Sequence, residues 1–164
     1  MKVFSLTLIA IVLFLAACSP KTSGQRNEDV SGQISEMIES RDYTFKATSA
    51  IPARGRTIQL NSAYYDLRIK GDTVVAELPY FGRAYTAPIG QTDGGIRFTS
   101  TDFTYNQNIK SNGVYEIEII PKDKKDVQRM FLSVSKSGYG NLYVNSNNRE
   151  SISFNGRIEK SRAR

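Results

Sequence analysis

Apolar residues alternate with polar ones along most of the chain after residue 42. The clearest runs are Tyr43 to Thr48, Tyr65 to Lys70 and Tyr115 to Ile119, in which every second residue is apolar. Successive side chains of a β-strand point to opposite faces of a sheet, so this period of two predicts strands with one buried and one solvated face. The pattern therefore predicts an all-β domain.

Further strands are predicted at residues 73–80, 96–105, 130–134, 141–144 and 151–158. Short turn sequences rich in Gly, Asn, Asp and Ser separate the strands. No ten-residue helical pattern lies between them, so we do not expect parallel crossovers. About eight antiparallel strands can form an up-and-down barrel or a two-sheet sandwich. The short hairpin connections favour the meander, and we predict a lipocalin-like β-barrel, round or flattened.

A short α-helix is predicted before the first strand. One helical face carries the apolar residues at spacing i, i+4, i+7 and i+8, namely Val30, Ile34, Met37 and Ile38. Asp29 or Ser31 can cap the helix. So short a helix is marginal alone and must dock its apolar face, so we expect it to cover one open end of the barrel. The abundant Tyr and Phe residues are expected to fill much of the interior.

The start of the chain has the three parts of an export signal: Lys2, an apolar run over residues 3–15, and two alanines before Cys18. The run is shorter than the roughly 18 residues that span a bilayer. The sequence LAAC resembles the bacterial lipobox, which implies cleavage before Cys18 and lipidation of its thiol. A buried free cysteine is the alternative, but no strand or helix pattern beside Cys18 supports it. We therefore predict a membrane anchor made of several acyl chains, each buried methylene contributing about 0.8 kcal/mol.

These features divide the chain into four parts. We predict a signal peptide at residues 1–17, a lipidated cysteine and flexible tether at 18–27, one barrel-like domain at 28–160 and a disordered tail at 161–164. The formal charge of the whole chain is +6. The basic residues are scattered among acids, as in Lys122 to Asp126, and form no stripe of the kind that binds nucleic acid. We expect the membrane, and no nucleic acid, as a partner.

The most distinctive stretch is LPYFGRAYTAP at residues 78–88. Its Tyr80, Phe81, Arg83 and Tyr85 can stack on a ring and pair with a carboxylate or phosphate, as a ligand-binding lip would. The alternative is that the aromatic rings pack in the barrel and Arg83 bonds backbone carbonyls at a kink. Arg149, in the NNRE turn, is either a second anion contact or a partner of loop carbonyls.

Four stretches together resemble a known family. The sequences LPYFGRAY, FTSTDFTY, GVYEIEI and NRESISFNGRI are similar to the bacterial lipoproteins classed as domain of unknown function 4251, over about residues 34–160. The resemblance implies a periplasm-facing or surface lipoprotein of Gram-negative gut-type bacteria with a barrel-like domain, and it implies no substrate. Ser19, rather than an aspartate, follows Cys18, which resembles lipoproteins sent to the outer membrane. No acidic residue lies between Ser19 and Asn27, which makes surface export less expected.

Composition excludes several chemistries. The chain has no histidine, so a Ser-His-Asp triad, a Cys-His dyad and the common zinc sites cannot form. No phosphate-binding loop or calcium loop is found, and we expect neither a metal nor a cofactor. Glu116 and Glu118 share a strand face, as the carboxylates of a glycosidase could, but a solvated face is the simpler interpretation.

We therefore predict a protein that is not an enzyme. Our first hypothesis is that it binds a small amphipathic or anionic envelope ligand at the barrel mouth. This hypothesis predicts an open cavity beside Arg83. The alternative is a structural or adaptor lipoprotein that contacts a protein partner in envelope maintenance. That function predicts a filled barrel and an exposed aromatic patch.

Overall fold

The computed structural model describes residues 23–61, 64–85 and 94–161. The predicted signal peptide, Cys18, the end of the LPYFGRAYTAP stretch and residues 162–164 lie outside the described residues. The predictions made for them therefore stay predictions.

One helix precedes ten β-strands. Helix α1 spans Ser23–Glu39. The strands are β1 (Asp42–Pro52), β2 (Ile58–Gln59), β3 (Asp66–Lys70), β4 (Thr73–Leu78), β5 (Ile96–Ser100), β6 (Phe103–Ile109), β7 (Tyr115–Pro121), β8 (Val127–Val134), β9 (Tyr139–Ser146) and β10 (Ile152–Lys160). Each stretch with a period of two contains at least one of these strands.

The strands form one antiparallel sheet in the order β5-β4-β3-β1-β10-β9-β8-β7-β6, with β2 paired to β1 outside this path. Apart from β2 and the step from β5 to β6, strands that are consecutive in sequence pair with each other, and β1 pairs with β10. The result is a nearly closed barrel of nine strands. The predicted antiparallel meander barrel with a short N-terminal helix is confirmed.

The two edges of the sheet, β5 and β6, follow each other directly in the chain. We predicted one strand over residues 96–105, and the structure divides it at Thr101 and Asp102 because the chain changes partners there, from β4 to β7. The Asp102 carbonyl accepts a hydrogen bond from the Lys122 amide at 2.8 Å. The hydroxyl of Ser100 can donate to that carbonyl at 3.2 Å or to Asp123 Oδ1 at 2.5 Å. These bonds fix the corner where the barrel nearly closes.

Apolar side chains fill the barrel interior. The largest fully buried ones include Tyr43, Phe45, Phe154, Leu67 and Met130, which come from β1, β10, β3 and β8. Residues on the same face of β7 and β9 are buried as well. Among the described residues the buried aromatic ones are Tyr43, Phe45, Tyr115 and Phe154, and the other buried apolar side chains are aliphatic or methionine.

Helix α1 packs on the barrel end at which β1 starts and β10 ends. Its Ile34 and Ile38 are 4% and 0% exposed, and the Tyr115 hydroxyl donates to Ser35 Oγ at 2.8 Å. The helix begins at Ser23, so it includes residues 23–27, which we predicted as part of the tether. Once the apolar face has docked, each further residue adds a backbone hydrogen bond without a new nucleation step. No helix within the described ranges is long and apolar enough to cross a membrane.

Candidate functional site

Two segments lie side by side at the barrel end opposite α1. Residues 80–85 follow β4, and residues 148–150 connect β9 with β10. Ala84 and Arg149 form an antiparallel bridge. The Tyr85 amide donates to the Asn148 carbonyl at 2.8 Å, and the Glu150 amide donates to the Arg83 carbonyl at 3.1 Å. We call these two segments the lip.

Arg149 is the buried support of the lip. Its side chain is 3% exposed, and its guanidinium donates to the Gly94 carbonyl and to Asp126 Oδ2, each at 2.7 Å. The guanidinium carbon also lies 4.9 Å from the centre of the Tyr80 ring. A planar guanidinium can bind several groups at once, so Arg149 ties three loops together. Bonding of loop carbonyls was one of the two roles considered for it, and a contact with a ligand stays a prediction.

Tyr80 packs beneath the lip. Its hydroxyl lies 2.9 Å from the Arg83 carbonyl and 3.0 Å from the Glu150 carbonyl, so it can donate to either segment. Burial, followed by the nearby Glu150 charge, raises the pKa of Tyr80. The phenol therefore stays protonated as a donor. A Cβ on Gly82 would lie 2.6 Å from this hydroxyl, so only glycine permits this close approach.

The outer side of the lip is cationic and aromatic. Arg83 is exposed, and Tyr85 is 70% exposed. Arg54, in the turn after β1, also lies here, because its Nε is 3.4 Å from a carboxylate oxygen of Glu150. The Arg54 side chain is 73% exposed. Two guanidinium groups and a phenol ring are therefore presented to solvent around residues 83–85 and 150.

The structure brings all five candidate residues to one place but gives them different surroundings. Arg83 and Tyr85 face solvent, whereas Tyr80 and Arg149 lie beneath them and Phe81 packs against the core. Three residues of this region were missed, namely Arg54, Asp126 and Glu150. They come from other hairpins, and no spacing in the sequence indicates that these hairpins meet at the lip.

Three cavities of the described part of the chain lie elsewhere. One of about 430 Å³ lies on β6, β7 and β8, and one of about 490 Å³ lies on β8, β9 and β10. The third, of about 840 Å³, lies between α1 and β10. None of the three is lined by a lip residue.

The candidate glycosidase carboxylates are occupied by ion pairs. Glu116 Oε1 lies 2.6 Å from Lys110 Nζ, and Glu118 Oε1 lies 3.3 Å from Arg129 Nε. Glu118 Oε2 also accepts a hydrogen bond from the side-chain Nδ2 of Asn106 at 3.1 Å. This arrangement is typical of a solvated sheet face. The described residues contain no cluster of three or more His, Cys, Asp or Glu side chains able to hold a metal ion.

Comparisons with known proteins agree on one family. Residues 25–158 match the family model described as "Domain of unknown function (DUF4251)". The fold is similar to the crystal structure of a DUF4251 family protein from Bacteroides eggerthii DSM 20697, with a TM-score of 0.64 and 13% sequence identity. The likeness covers 80% of this chain and 87% of that chain. Among curated proteins none matches.

Proposed function

This chain belongs to the DUF4251 family, and from that premise we propose that it is a membrane-anchored lipoprotein that binds a ligand and catalyses no reaction. The LAAC sequence supports an anchor at Cys18, and Ser19 after it supports the periplasmic face of the outer membrane. Family membership brings no activity with it. The ligand must therefore be argued from the lip.

The ligand is a small amphipathic molecule with an anionic group. The observation that carries this proposal is the exposed pair Arg83 and Tyr85, which the buried Arg149 positions next to Arg54. A guanidinium pairs with a carboxylate or phosphate through two parallel hydrogen bonds. The neighbouring ring offers an apolar surface to the rest of the ligand. Together they match a molecule with a charged head and an apolar body.

Binding takes place on the lip rather than inside the barrel. The interior is filled by residues such as Phe45 and Phe154, each 0% exposed. A ligand inside would have to displace close-packed side chains, which costs contacts throughout the core. Only the anionic head and the adjoining part of the ligand are therefore expected to contact protein, which predicts modest affinity.

A binding assay with short-chain lipids tests this proposal. The full chain in nonionic detergent is titrated by calorimetry with dihexanoylphosphatidylglycerol and with the net-neutral dihexanoylphosphatidylcholine. We expect the anionic lipid to bind more tightly. Arg83→Ala should weaken its binding at least tenfold, about 1.4 kcal/mol.

Arg157 provides a matched control at the other end of the barrel. Its guanidinium carbon lies 4.7 Å from the centre of the exposed Tyr139 ring, so it forms a similar arginine–tyrosine pair. Arg157→Ala should leave the affinity for the anionic lipid unchanged. Equal loss in both variants would mean that binding depends on net charge, and the lip would not be the site.

An adaptor role is the second candidate, and the filled barrel together with exposed rings on the outer sheet face favours it. Phe131 and Tyr143 lie opposite each other on β8 and β9 and are 41% and 37% exposed. Exposed aromatic residues of this kind are enriched in protein interfaces. Crosslinking in intact envelopes tests this candidate, since Phe131→Ala with Tyr143→Ala should abolish a specific crosslinked product. A product that persists in the double variant would argue against this face.

A further inference from the structure

Strand β6 has a free backbone edge. Within the described ranges it pairs with β7 on one side and with no strand on the other. The other end of the sheet, β5, pairs with β4 and forms no ladder with β6, although only Thr101 and Asp102 separate the two strands. The nearly closed barrel therefore ends here in an open edge.

The register shows which backbone groups point away from β7. The Lys110 amide donates to the Val114 carbonyl at 2.9 Å, so the backbone groups of Lys110 face β7. Hydrogen-bonded and non-hydrogen-bonded residue pairs alternate along an antiparallel ladder, so the backbone groups of Asn108 and Asn106 also bond to β7. The N–H and C=O groups of Tyr105, Gln107 and Ile109 consequently face the open side. They repeat about every 6.7 Å, at two residues per repeat.

This edge has none of the usual protection within its exposed part. Residues 106–109 are all exposed, and their sequence, NQNI, contains neither a proline nor a charged residue. The pairing of β6 with β7 runs without a bulge. Ile109 is 53% exposed although its cross-strand partner Tyr115 is buried. Natural edge strands are commonly blocked by lysine, proline or a bulge, because an open edge invites another strand.

We propose that the β6 edge receives an extended peptide segment of a partner protein, which adds one strand to the sheet beside β6. Main-chain hydrogen bonds to Tyr105, Gln107 and Ile109 supply the affinity. The side chains of these residues lie on the same face of the sheet as their partners on β7, which are buried. The peptide residues on that face would therefore be apolar, which is every second residue.

Charge favours an acidic peptide over a second copy of this chain. The formal charge of the chain is +6, so two copies repel each other. The guanidinium carbon of Arg41 lies 4.5 Å from the centre of the Tyr105 ring, which places a positive charge beside the edge. A net negative segment with alternating apolar residues is therefore the expected occupant. This inference goes beyond the lip, which lies on other strands.

A proline and an alanine variant of Gln107 test whether a peptide binds to the β6 edge. The Gln107 amide faces the open side, so Gln107→Pro removes a donor to the partner without removing a bond to β7. Gln107→Ala removes the same side chain and keeps the amide. Random nine-residue peptides displayed on phage are selected against the full chain in nonionic detergent. We expect acidic, alternating peptides that bind the alanine variant normally and the proline variant at least tenfold more weakly.

Amide hydrogen exchange provides a second readout that does not depend on the proline variant folding. In the free chain the amides of Gln107 and Ile109 should exchange faster than those of Asn106 and Asn108. A selected peptide should slow Gln107 and Ile109 and leave the other two unchanged. Protection of all four amides alike, or selected peptides that bind Gln107→Ala as weakly as Gln107→Pro, would overturn the proposal.

Two further outcomes would also overturn it. One is that the selection enriches no peptide. The other is a concentration-dependent dimer of the wild-type chain that Gln107→Pro abolishes, because a second copy of the chain would then occupy the β6 edge. The lip variant Arg83→Ala should bind the selected peptides as the wild type does. Failure of the edge and failure of the lip are therefore measured separately.

Discussion

Two arginines at the lip illustrate how burial separates support from recognition. Arg149 is almost completely buried and bonded to Gly94 and Asp126, whereas Arg83 is exposed. The sequence places Arg83 among aromatic residues and Arg149 in a turn, but it does not show which of the two is enclosed. Burial of Arg149 depends on the meeting of three loops from distant parts of the chain, which no local pattern encodes.

We expect Arg149→Ala to destabilise the fold by about 2–3 kcal/mol, because it removes charge-assisted hydrogen bonds from a buried site. The exposed Arg83→Ala should change the free energy of unfolding by less than about 0.5 kcal/mol. Urea unfolding of both variants checks this pair. Similar stabilities of the two variants would contradict the supporting role of Arg149.

The buried Tyr43 should make stability sensitive to alkaline pH. Its hydroxyl lies 3.1 Å from that of Tyr105, and burial raises the pKa of both residues. The folded state thus holds these protons more tightly, so their contribution is fully present below the unfolded pKa of about 10 and is lost as pH rises through the folded values. Tyr43→Phe should flatten the fall in stability between about pH 9 and 11. Urea unfolding over this range of pH measures the effect, and a fall of the same steepness in Tyr43→Phe would contradict it.

At the scale of elements, the alternating pattern predicted strands well because burial of one face is a local property of each strand. The change of pairing partner between β5 and β6 depends on strands that are distant in the sequence. The chain bends at Thr101 and Asp102, where it moves from one sheet edge to the other. The start of α1 was likewise missed, because docking of residues 30–38 extends the helix beyond its apolar pattern.

Two glycines should respond to alanine in opposite ways. In β10, a Cβ on Gly156 would overlap the Lys46 carbonyl of β1, so Gly156→Ala must push apart the strands that join the chain ends. We expect a loss of about 1–3 kcal/mol. A Cβ on Gly32 of α1 meets no atom within 4 Å, so Gly32→Ala should gain about 0.5–1 kcal/mol from helix propensity. Thermal unfolding measures both, and a destabilised Gly32→Ala would contradict the helix assignment.

The corner between the two sheet edges should weaken in acid. The Ser100 hydroxyl bonded to Asp123 lowers the pKa of that carboxyl. A depressed folded pKa contributes stability above the unfolded pKa, and this contribution is lost as pH falls through the folded value. Ser100→Ala should therefore reduce the acid dependence below about pH 4. An unchanged pH profile of unfolding would show that the hydrogen bond does not hold the corner.

At the scale of the whole molecule, apolar side chains fill the barrel, and the proposed contacts with a ligand and a partner lie outside its core. The family and the barrel were recognisable from the sequence, because the quoted stretches and the alternating strands are local features. The lip and the open edge of β6 could not be recognised from the sequence. The lip needs β4, β9 and β10 in place, and the open edge of β6 exists only because the sheet stops short of closure.

Lipidation should decide where the molecule resides. If Cys18 carries the anchor, Cys18→Ser should move the protein from the membrane pellet to the soluble fraction of lysed cells. A Ser19→Ala control should stay in the pellet, because it keeps the thiol. Membrane association that survives in Cys18→Ser would contradict the anchor and require another attachment.

The most direct test of the central claim is a map of the bound ligand on the protein. Backbone amide resonances of the full chain in nonionic detergent are followed while dihexanoylphosphatidylglycerol is added. The account predicts that shifts concentrate at residues 83–85, 150 and 54, with resonances of the core residues Phe45 and Phe154 unchanged. Shifts that spread through the core, or that are as large at Arg157 as at Arg83, would contradict binding at the lip.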